Sequence, residues 1–312
     1  MRCLLGVISI AMSYSITSER KLELWFDMSN KFEIPIDNIS YEDYNLLEIL
    51  FYGITQGANF VIGNDIDIKN YRSKTFKIIK EDDKKIIETY DGIKFYIDSI
   101  HTRNSIVECF VNKVHMINFD DDWNNKIVID AGAECGDTPL YYASMGAKVY
   151  AFEPIKANFD AMVRNISLNP ELSKRIVPIN AAIGKDGVVT FYQNPNDSGL
   201  SSSFVYNAFG KSAKLSEIKC YSLESVLEEF DIKYVNLLKM DCKGCEKFLT
   251  LDVLKNVDKV KIEYDAVMYG AYKLEDLLNL LKKAGFEYML YEINPFDYPS
   301  IKVTGHIYGK RP

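Results

Sequence analysis

Short apolar runs alternate with amphipathic stretches over the C-terminal two-thirds of the chain, from Lys126 onward. A repeated strand–helix order of this kind builds a parallel sheet with helices on both faces. The runs predict strands at 127–129, 148–152, 176–179, 234–240 and 260–264, helices at 138–145, 156–168, 223–230 and 274–283, a hairpin arm at 187–192, and a closing antiparallel pair at 286–292 and 303–308. The pattern therefore predicts a doubly wound α/β sheet whose final hairpin is reversed.

Two local signals support this order. Thr138 followed by Pro139 is typical of a helix start, with threonine as the N-cap and proline in the first helical position. Leu237 and Leu238 are adjacent apolar residues, as expected in a central strand that is buried on both faces.

The first 120 or so residues have a different pattern, which mixes helical and strand periods. An apolar helical face follows Asp43, and short strands are predicted around turns at Asp82 and Gly92. The apolar residues concerned are Leu46, Leu47, Ile49, Leu50, Phe76, Ile78, Ile86, Ile87, Ile93, Phe95 and Ile97. We therefore expect a smaller α+β accessory cap or lid at 1–120 and a larger α/β domain at 121–312.

Composition is that of an ordinary globular protein, and its charge narrows the choice of partners. The chain has 312 residues, of which 47% are hydrophobic and 26% charged, with a net charge of −7. Nucleic-acid binding depends on clustered Lys and Arg, so an RNA or DNA substrate is disfavoured. Asp82–Asp83 and 120–122 are interpreted as solvated turns and not as metal sites.

Cysteine usage and the N-terminus bear on location. The six cysteines are scattered, and Cys242 and Cys245 form a single C-x-x-C without a second pair or a nearby histidine. We expect small-residue packing at this pair, no metal, and a reducing compartment. The apolar run 3–12 is too short to span a bilayer as a helix and lacks a clear cleavage site, so a buried segment and a cytoplasmic protein are expected.

The strongest chemical signal is the segment 129–138, in which a strand leads through a glycine-bearing loop into a helix. Gly132 permits close approach of the loop to a ligand, and Gly136 permits tight entry into the helix. The dinucleotide fingerprint would need glycine in place of Glu134, and the P-loop lysine is missing. Asp130 would repel a pyrophosphate but attract a ligand with an ammonium group.

Glu153 ends the next strand, roughly 20 residues further on, which suits a carboxylate that accepts hydrogen bonds from both ribose hydroxyls. Nicotinamide-dependent enzymes use an acid in the same way, so Glu153 alone is not specific. Turn glycines and a surface acid remain the alternative for these residues taken singly.

In these features the sequence resembles the FkbM-type S-adenosylmethionine-dependent methyltransferases. Three ordered motifs carry the resemblance: Asp130 to Thr138, Phe152-Glu153-Pro154, and Lys239 to Glu246. The resemblance implies a seven-stranded Rossmann-like methyltransferase sheet and S-adenosylmethionine as cofactor. Glu134 stands where the family usually has Asn, and Lys243 where it usually has Glu.

The resemblance also implies a set of cofactor residues at the carboxyl ends of the strands. They are Asp130, Ala131, Gly132, Ala133, Glu134, Gly136, Asp137 and Thr138 in the loop, Glu153 and Pro154 for the ribose, Asn180, Ala181 and Ala182 around the adenine, and Asp241 near the methyl group.

Candidate catalytic residues cluster at the end of the central strand. Asp241 follows that strand and is our candidate for a base or an acceptor-orienting residue, with helix capping as the alternative. Glu263 lies near the end of the next strand and is a further candidate. Lys239 is the third candidate, with a buried structural ion pair as its alternative. Lys243 could pair with Asp241 or bind an acidic substrate.

These observations predict a methyltransferase that acts on a hydroxyl group of a sugar, a glycan or a small metabolite. The changes at Glu134 and Lys243 leave open a module that binds the cofactor without turnover, and an NAD(P)-dependent oxidoreductase is a weaker alternative. The polar segment 194–206 is a candidate substrate-facing loop. His101, His115 and His306 lie in no motif and are interpreted as structural. The sequence leaves the oligomeric state and the acceptor open.

Overall fold

The computed structural model describes residues 13–16, 21–25, 31–35, 39–62, 74–99, 105–115, 122–193, 203, 207, 210–212, 214–264, 271–291 and 305–312. The chain divides into two compact units, one of residues 1–116 with 167–169 and one of residues 117–166 with 170–312. The predicted apolar segment 3–12 lies outside the described residues.

The described residues of the first unit form two sheets and one long helix. Its elements are β1 (Ser13–Ile16), β2 (Lys21–Trp25), β3 (Lys31–Pro35), α1 (Tyr41–Thr55), β4 (Asn59–Ile62), β5 (Thr75–Glu81), β6 (Lys84–Glu88), β7 (Lys94–Tyr96), a 3₁₀ turn at Ile97–Ser99 and a π-helical turn at Val107–Val111. Strands β1, β2 and β3 form an antiparallel sheet, and β4 to β7 form a second sheet in chain order.

Helix α1 and the hairpin of β5 and β6 confirm the sequence patterns found there. Ser40 caps α1, because its hydroxyl accepts a hydrogen bond from the main-chain N–H of Asp43 at 3.1 Å. The leucine and isoleucine face of the helix is buried, and β5 pairs with β6 around Asp82. The role of this unit as a cap stays a prediction.

The second unit contains ten strands and six helices among the residues that the structure describes. The strands are β8 (Ile127–Ala131), β9 (Lys148–Phe152), β10 (Ile176–Ile179), β11 (Ala182–Ile183), β12 (Gly187–Gln193), β13 (Lys214–Tyr221), β14 (Val235–Met240), β15 (Val257–Glu263), β16 (Glu287–Tyr291) and β17 (His306–Lys310). The helices are α2 (Asp137–Ser144), α3 (Lys156–Ser167), α4 (Pro170–Ser173), α5 (Leu223–Glu229), α6 (Leu251–Leu254) and α7 (Leu274–Lys283); 3₁₀ turns lie at Gly210–Ser212 and Cys245–Phe248.

Seven of these strands form one sheet in the order β10-β9-β8-β14-β15-β17-β16. Neighbours are parallel except at β17, which is antiparallel to both β15 and β16. The doubly wound sheet and its reversed final hairpin are therefore confirmed. The strand order reverses next to β8, so the carboxyl ends of β8, β9 and β14 meet at the place where open α/β sheets bind ligands.

The main core lies against this sheet, and the central strand is the most enclosed part of it. Leu237 and Leu238 are both almost fully buried, as their adjacency predicted. The remaining strands of the unit, β11, β13 and β12, form a separate three-stranded sheet, the β-arm, with a small core of its own. Asp186 joins the base of the β-arm to α5, since its carboxylate accepts hydrogen bonds from Ser222 and Ser225.

One predicted helix start is wrong. Helix α2 begins at Asp137, and its N-cap is Gly136 with φ of 89° in the left-handed region. Thr138 lies inside the helix, where its hydroxyl donates to Asp130 at 2.5 Å. The buried carboxylate of Asp130, on the strand that precedes the helix, is a stronger partner for this hydroxyl than a main-chain N–H group of the first helical turn.

Across the residues with an assigned conformation, no helix combines the length and apolar character needed to cross a bilayer.

Candidate active site

The loop that follows β8 is held tightly against the end of β14. Gly132 has φ of 89°, and a Cβ atom at this position would overlap the main-chain oxygen of Asp241. The main-chain N–H of Asp241 in turn donates to the oxygen of Ala131 at 2.9 Å. Only glycine fits between the two strand ends, so this glycine sets how closely the loop and Asp241 approach each other.

The main-chain N–H groups of this loop are used within the protein. Those of Gly132 and Ala133 both donate to the oxygen of Phe152, at 2.9 and 3.0 Å, and that of Gly136 donates to Ala133 at 2.8 Å. Loops that bind phosphate instead direct such N–H groups at the ligand. The loop is thus arranged for a ligand without a pyrophosphate.

Glu153 lies beside the loop at the end of β9 and is almost fully buried. Its carboxylate accepts hydrogen bonds from the main-chain N–H of Glu134 at 2.9 Å and of Ile155 at 2.8 Å, and from the amide of Asn158 at 3.5 Å. Burial raises the pKa of Glu153 to about 7, although these hydrogen bonds oppose the shift. Oε1 accepts two of these hydrogen bonds and Oε2 accepts one, so Oε2 has room for a further donor such as a ribose hydroxyl.

Glu134 adopts φ of 43°, which explains why the family usually has asparagine here. Asparagine tolerates the left-handed region better than glutamate does. The contact with Glu153 comes from the main chain of Glu134, so the substitution keeps that contact and changes only the side chain presented beside it.

Asp130 and Lys239 form a buried ion pair across the neighbouring strands β8 and β14. Lys239 Nζ lies 2.9 Å from Asp130 Oδ1, with side-chain exposures of 4% and 0%. Lys239 also donates to the main-chain oxygen of Gly132 at 2.8 Å, and Thr138 donates to the second carboxylate oxygen. Burial acts to lower the pKa of Lys239, but the negative charges of Asp130 and Asp241 outweigh it and leave the pKa raised.

This pair corrects two expectations. The ammonium group attracted by Asp130 is that of Lys239, so the carboxylate does not face a ligand. Lys239 has the buried structural pairing that was the alternative to a catalytic role, because its ammonium is enclosed between Asp130 and the loop main chain. Both residues stabilise the loop that the ligand would contact.

A second lysine group lies just beyond the end of β14. Lys243 Nζ lies 3.1 Å from Asp241 Oδ1 and also contacts Glu263 Oε2 at the end of β15. The three side chains, which we call the Lys243 cluster, are between 22% and 29% exposed. The structure thus brings the two candidate acids together and places one cation between them.

The backbone of the Lys243 cluster is also fixed. Lys243 has φ of 53° and Gly244 has φ of 118°, which makes a tight left-handed turn. The hydroxyl of Ser203 donates to the main-chain oxygen of Lys243 at 2.6 Å. Ser203 belongs to the predicted substrate-facing loop 194–206, the rest of which lies outside the described residues.

Cys242 and Cys245 form a disulfide across this turn, with their Cα atoms 5.5 Å apart. The expectation of unbonded small-residue packing is therefore wrong, because the tight turn brings the two sulfurs together regardless of how the other cysteines are spaced. Cys109, Cys135 and Cys220 are buried and lie outside this disulfide. Where side chains are described, the only grouping of potential metal ligands is this pair with Glu246.

The predicted adenine neighbourhood has one polar residue. Asn180 donates from its side-chain amide to the main-chain oxygens of Glu153 at 2.8 Å and Pro154 at 3.2 Å, which ties the ends of β9 and β10 together. Ala181 and Ala182 are enclosed in the two hydrophobic cores. Asn180 thus positions Glu153, and the two alanines contribute packing.

A buried polar group on the closing strand was not expected from the sequence. His306 Nδ1 lies 2.6 Å from Lys261 Nζ, and its ring stacks on Tyr291 with centroids 5.4 Å apart. Burial and the charge of Lys261 hold the pKa of His306 well below its usual value, so the ring is neutral and accepts at Nδ1. His306 pairs in register with Glu263, a long-range antiparallel contact that a local motif does not reveal.

A cavity of about 340 Å³ lies at the opposite edge of the sheet, at the amino ends of β8, β14 and β15. It is lined by Asp122, Trp123, Lys126, Asn236, Asp258 and Lys259. None of the predicted site residues lines it.

Solved structures resemble this chain only distantly. The M. jannaschii TYW2 structure in complex with AdoMet has a TM-score of 0.38 and 17% identity, and covers 82% of this chain and 98% of its own. An rRNA methylase from Streptococcus thermophilus has a TM-score of 0.37 and 14% identity, and covers 61% of this chain and 88% of its own. We draw no functional conclusion from likenesses of this size.

Sequence comparison is more informative. The methyltransferase FkbM domain matches residues 130–288, which is about half of the chain. Methyltransferase sdnD from Sordaria araneosa is 27% identical over 199 residues, which cover 54% of this chain and 74% of that protein. The matched region contains the loop after β8, Glu153 and the whole Lys243 cluster. The chain belongs to the FkbM family of S-adenosylmethionine-dependent methyltransferases.

Proposed function

We propose that this chain transfers the methyl group of S-adenosylmethionine to a hydroxyl group of a sugar, a glycan or a small metabolite. The observation that carries the proposal is the pair of partly exposed carboxylates, Asp241 and Glu263, at the ends of adjacent strands. They lie beside the loop that would hold the cofactor, since Asp241 contacts that loop through its main chain.

The residues at the loop fit this cofactor better than a dinucleotide. The N–H groups of Gly132, Ala133 and Gly136 are already used, so these three donors are not available to a pyrophosphate. Glu153 can accept a hydrogen bond from a ribose hydroxyl. S-adenosylmethionine carries no phosphate whose charge would repel this carboxylate. A nicotinamide-dependent oxidoreductase is disfavoured on the same grounds.

S-adenosylmethionine supplies an electrophilic methyl group on a sulfonium. Asp241 and Glu263 serve the acceptor side, where the hydroxyl oxygen forms a bond to carbon and loses its proton to one of the carboxylates. Lys243 balances part of their charge and keeps them in fixed positions, which favours a defined acceptor geometry. In this proposal Ser203 contributes to the acceptor side, because its hydroxyl donates to the main-chain oxygen of Lys243.

A second candidate is a module that binds the cofactor without turnover. Lys243 favours this alternative, because the ammonium group contacts both carboxylates and competes with an acceptor hydroxyl for them. The two candidates differ in methyl transfer and agree on cofactor binding. The cytoplasmic location expected from the sequence stays part of either proposal.

The test is methyl transfer from radiolabelled S-adenosylmethionine to a panel of sugars and small hydroxyl metabolites. We expect transfer to at least one of them, and we expect Asp241→Asn to lower kcat by about 10²- to 10⁴-fold, the usual contribution of a general base. The affinity for S-adenosylhomocysteine, measured by calorimetry, is expected to change by less than about threefold, since truncating a base need not alter ground-state binding.

Asp252→Asn is the matched control, because Asp252 is an exposed acid on α6 whose partner is Lys255. It should leave kcat unchanged. Tight binding of S-adenosylhomocysteine without methyl transfer to any member of the panel would favour the non-catalytic module. Full activity in Asp241→Asn would remove Asp241 from the proposed chemistry.

A further inference from the structure

The disulfide between Cys242 and Cys245 has no part in the proposed methyl transfer, but it is adjacent to the Lys243 cluster of the proposed acceptor site. Cys242 directly follows Asp241, and the two cysteines enclose Lys243 and Gly244. Their Cα separation of 5.5 Å lies within the range of ordinary disulfides.

The two cysteine residues differ in exposure. Cys245 is fully buried, whereas Cys242 is partly exposed. Thiol–disulfide exchange begins when an external thiolate attacks one sulfur and the other leaves, so access to a single sulfur is sufficient. Cys242 offers that access, and Cys245 is the leaving sulfur.

The disulfide closes the turn that positions Lys243. Lys243 is held in the left-handed region at φ of 53°, a conformation that is unfavourable for a residue with a Cβ atom. The same turn directs its ammonium group to Asp241 and Glu263. Opening the disulfide removes the covalent constraint on this turn and allows Lys243 to relax away from the two acids.

We propose that Cys242 and Cys245 form a thiol–disulfide exchange site, whose oxidised form holds Lys243 between the two acids of the acceptor site. The reductant is a dithiol. One of its thiolates attacks Cys242 and releases the thiolate of Cys245; its second thiolate then displaces Cys242 from the mixed disulfide. Two electrons pass to the protein, the dithiol becomes a disulfide, and the two cysteine thiolates take up protons.

The experiment uses the full chain and needs no methyl acceptor. The protein is equilibrated with oxidised or reduced dithiothreitol, its thiols are blocked by alkylation, and peptides are analysed by mass spectrometry. We expect two alkyl groups on the peptide that contains Cys242 and Cys245 after reduction and none after oxidation, and the change should be reversible. Acylation of Lys243 by an amine reagent should accelerate about fivefold on reduction, as expected for the loss of a partly buried ion pair, while exposed Lys174 should not change.

Two variants sharpen the test. In the double variant Cys242→Ser with Cys245→Ser, the amine reagent should acylate Lys243 at the fast rate in both oxidised and reduced dithiothreitol. Circular dichroism checks that this variant is folded. Cys220→Ser, at a buried free cysteine in the β-arm, should keep the full response. Since wild-type protein gives the primary readout, the proposal does not depend on the folding of either variant.

Three results would overturn the proposal. The cysteines could stay reduced under oxidised dithiothreitol, or they could hold stoichiometric zinc together with Glu246, measured by elemental analysis. The disulfide could also form while Lys243 reacts equally fast in both states. None of these readouts involves methyl transfer, so the exchange site and the proposed enzymatic function can fail separately.

Discussion

Lys239 lies within β14 and Lys243 lies just beyond its end, and the two lysines contact carboxylates in opposite environments. Lys239 is enclosed with Asp130, at side-chain exposures of 4% and 0%, whereas the Lys243 cluster is between 22% and 29% exposed. A buried pair must stay intact, because an isolated charge in the interior is costly. A partly exposed group can exchange partners at little cost.

The two lysines therefore differ in role. Lys239 stabilises the fold, and Lys243 belongs to the proposed acceptor site. The buried pair fixes the loop after β8 through the oxygen of Gly132, and the partly exposed cluster holds the two acids that we propose for the acceptor side. Replacements at the two lysines should therefore affect different properties of the protein.

The largest effect is expected from Lys239→Met, which leaves Asp130 buried without its cation. We expect the free energy of unfolding to fall by about 3–5 kcal/mol, measured by urea denaturation. Lys243→Met is the matched control and should change it by less than about 1 kcal/mol, because that ion pair is partly exposed.

Equal losses in the two variants would contradict the comparison. The double variant Lys239→Met with Asp130→Asn removes both charges, so it should recover much of the stability lost by Lys239→Met alone. If it is as unstable as the single variant, packing of the lysine chain and not the charge of Asp130 explains the loss.

The next largest change in stability is expected from Glu153, a buried carboxylate with which no cation of the described residues forms an ion pair. Because folding raises its pKa from 4.5 to about 7, the folded state binds the proton more tightly than the unfolded state. Its contribution to stability is therefore fully present below about pH 4.5 and is lost as the pH rises through 7. The loss is roughly 3 kcal/mol, at about 1.4 kcal/mol for each pH unit.

Urea denaturation of wild type and Glu153→Gln at several pH values measures this contribution. The variant cannot ionise at this position, so its stability should fall less between acidic and neutral pH, by roughly the same 3 kcal/mol. Parallel stability curves for the two proteins would show that Glu153 does not titrate in this range.

A smaller loss of unfolding free energy is expected from Gly132→Ala, which tests how closely the loop after β8 approaches Asp241. The added Cβ overlaps the oxygen of Asp241, and we expect it to cost about 2 kcal/mol more than Gly285→Ala. Gly285 is the matched control, since its φ of 85° is nearly that of Gly132 and a Cβ there meets nothing within 4 Å. Equal losses of unfolding free energy would mean that backbone strain alone decides both positions.

The sequence predicted the sheet well because parallel strands are buried on both faces and are read as continuous apolar runs. The bounds of β9, β10 and α7 agree with those predicted from the pattern. The β-arm was predicted only in part: 187–192 was recognised, but β13, which pairs with it, was not, because its residues are largely exposed and mixed in character.

The site was predictable in position but less so in detail. Strand ends identified Asp130, Glu153, Asp241 and Glu263, since each follows directly from an apolar run. Their partners depend on strand order and on turn geometry, which no local pattern specifies. The enclosure of Asp130 by Lys239 is a consequence of that kind, because the two residues are neighbours only after β8 and β14 pair.

The separate core of the β-arm makes this segment a natural unit of exchange between relatives. Its packing residues come from the arm except for Ile155, which follows β9, so a transplanted arm would carry most of its own interior with it. The attachment is the carboxylate of Asp186 on the cap of α5, formed by Ser222. Chimaeras that exchange the arm should place their crossover points outside Asp186 and Ser222. Both residues then come from the same parent protein, and the hydrogen bonds between them are kept.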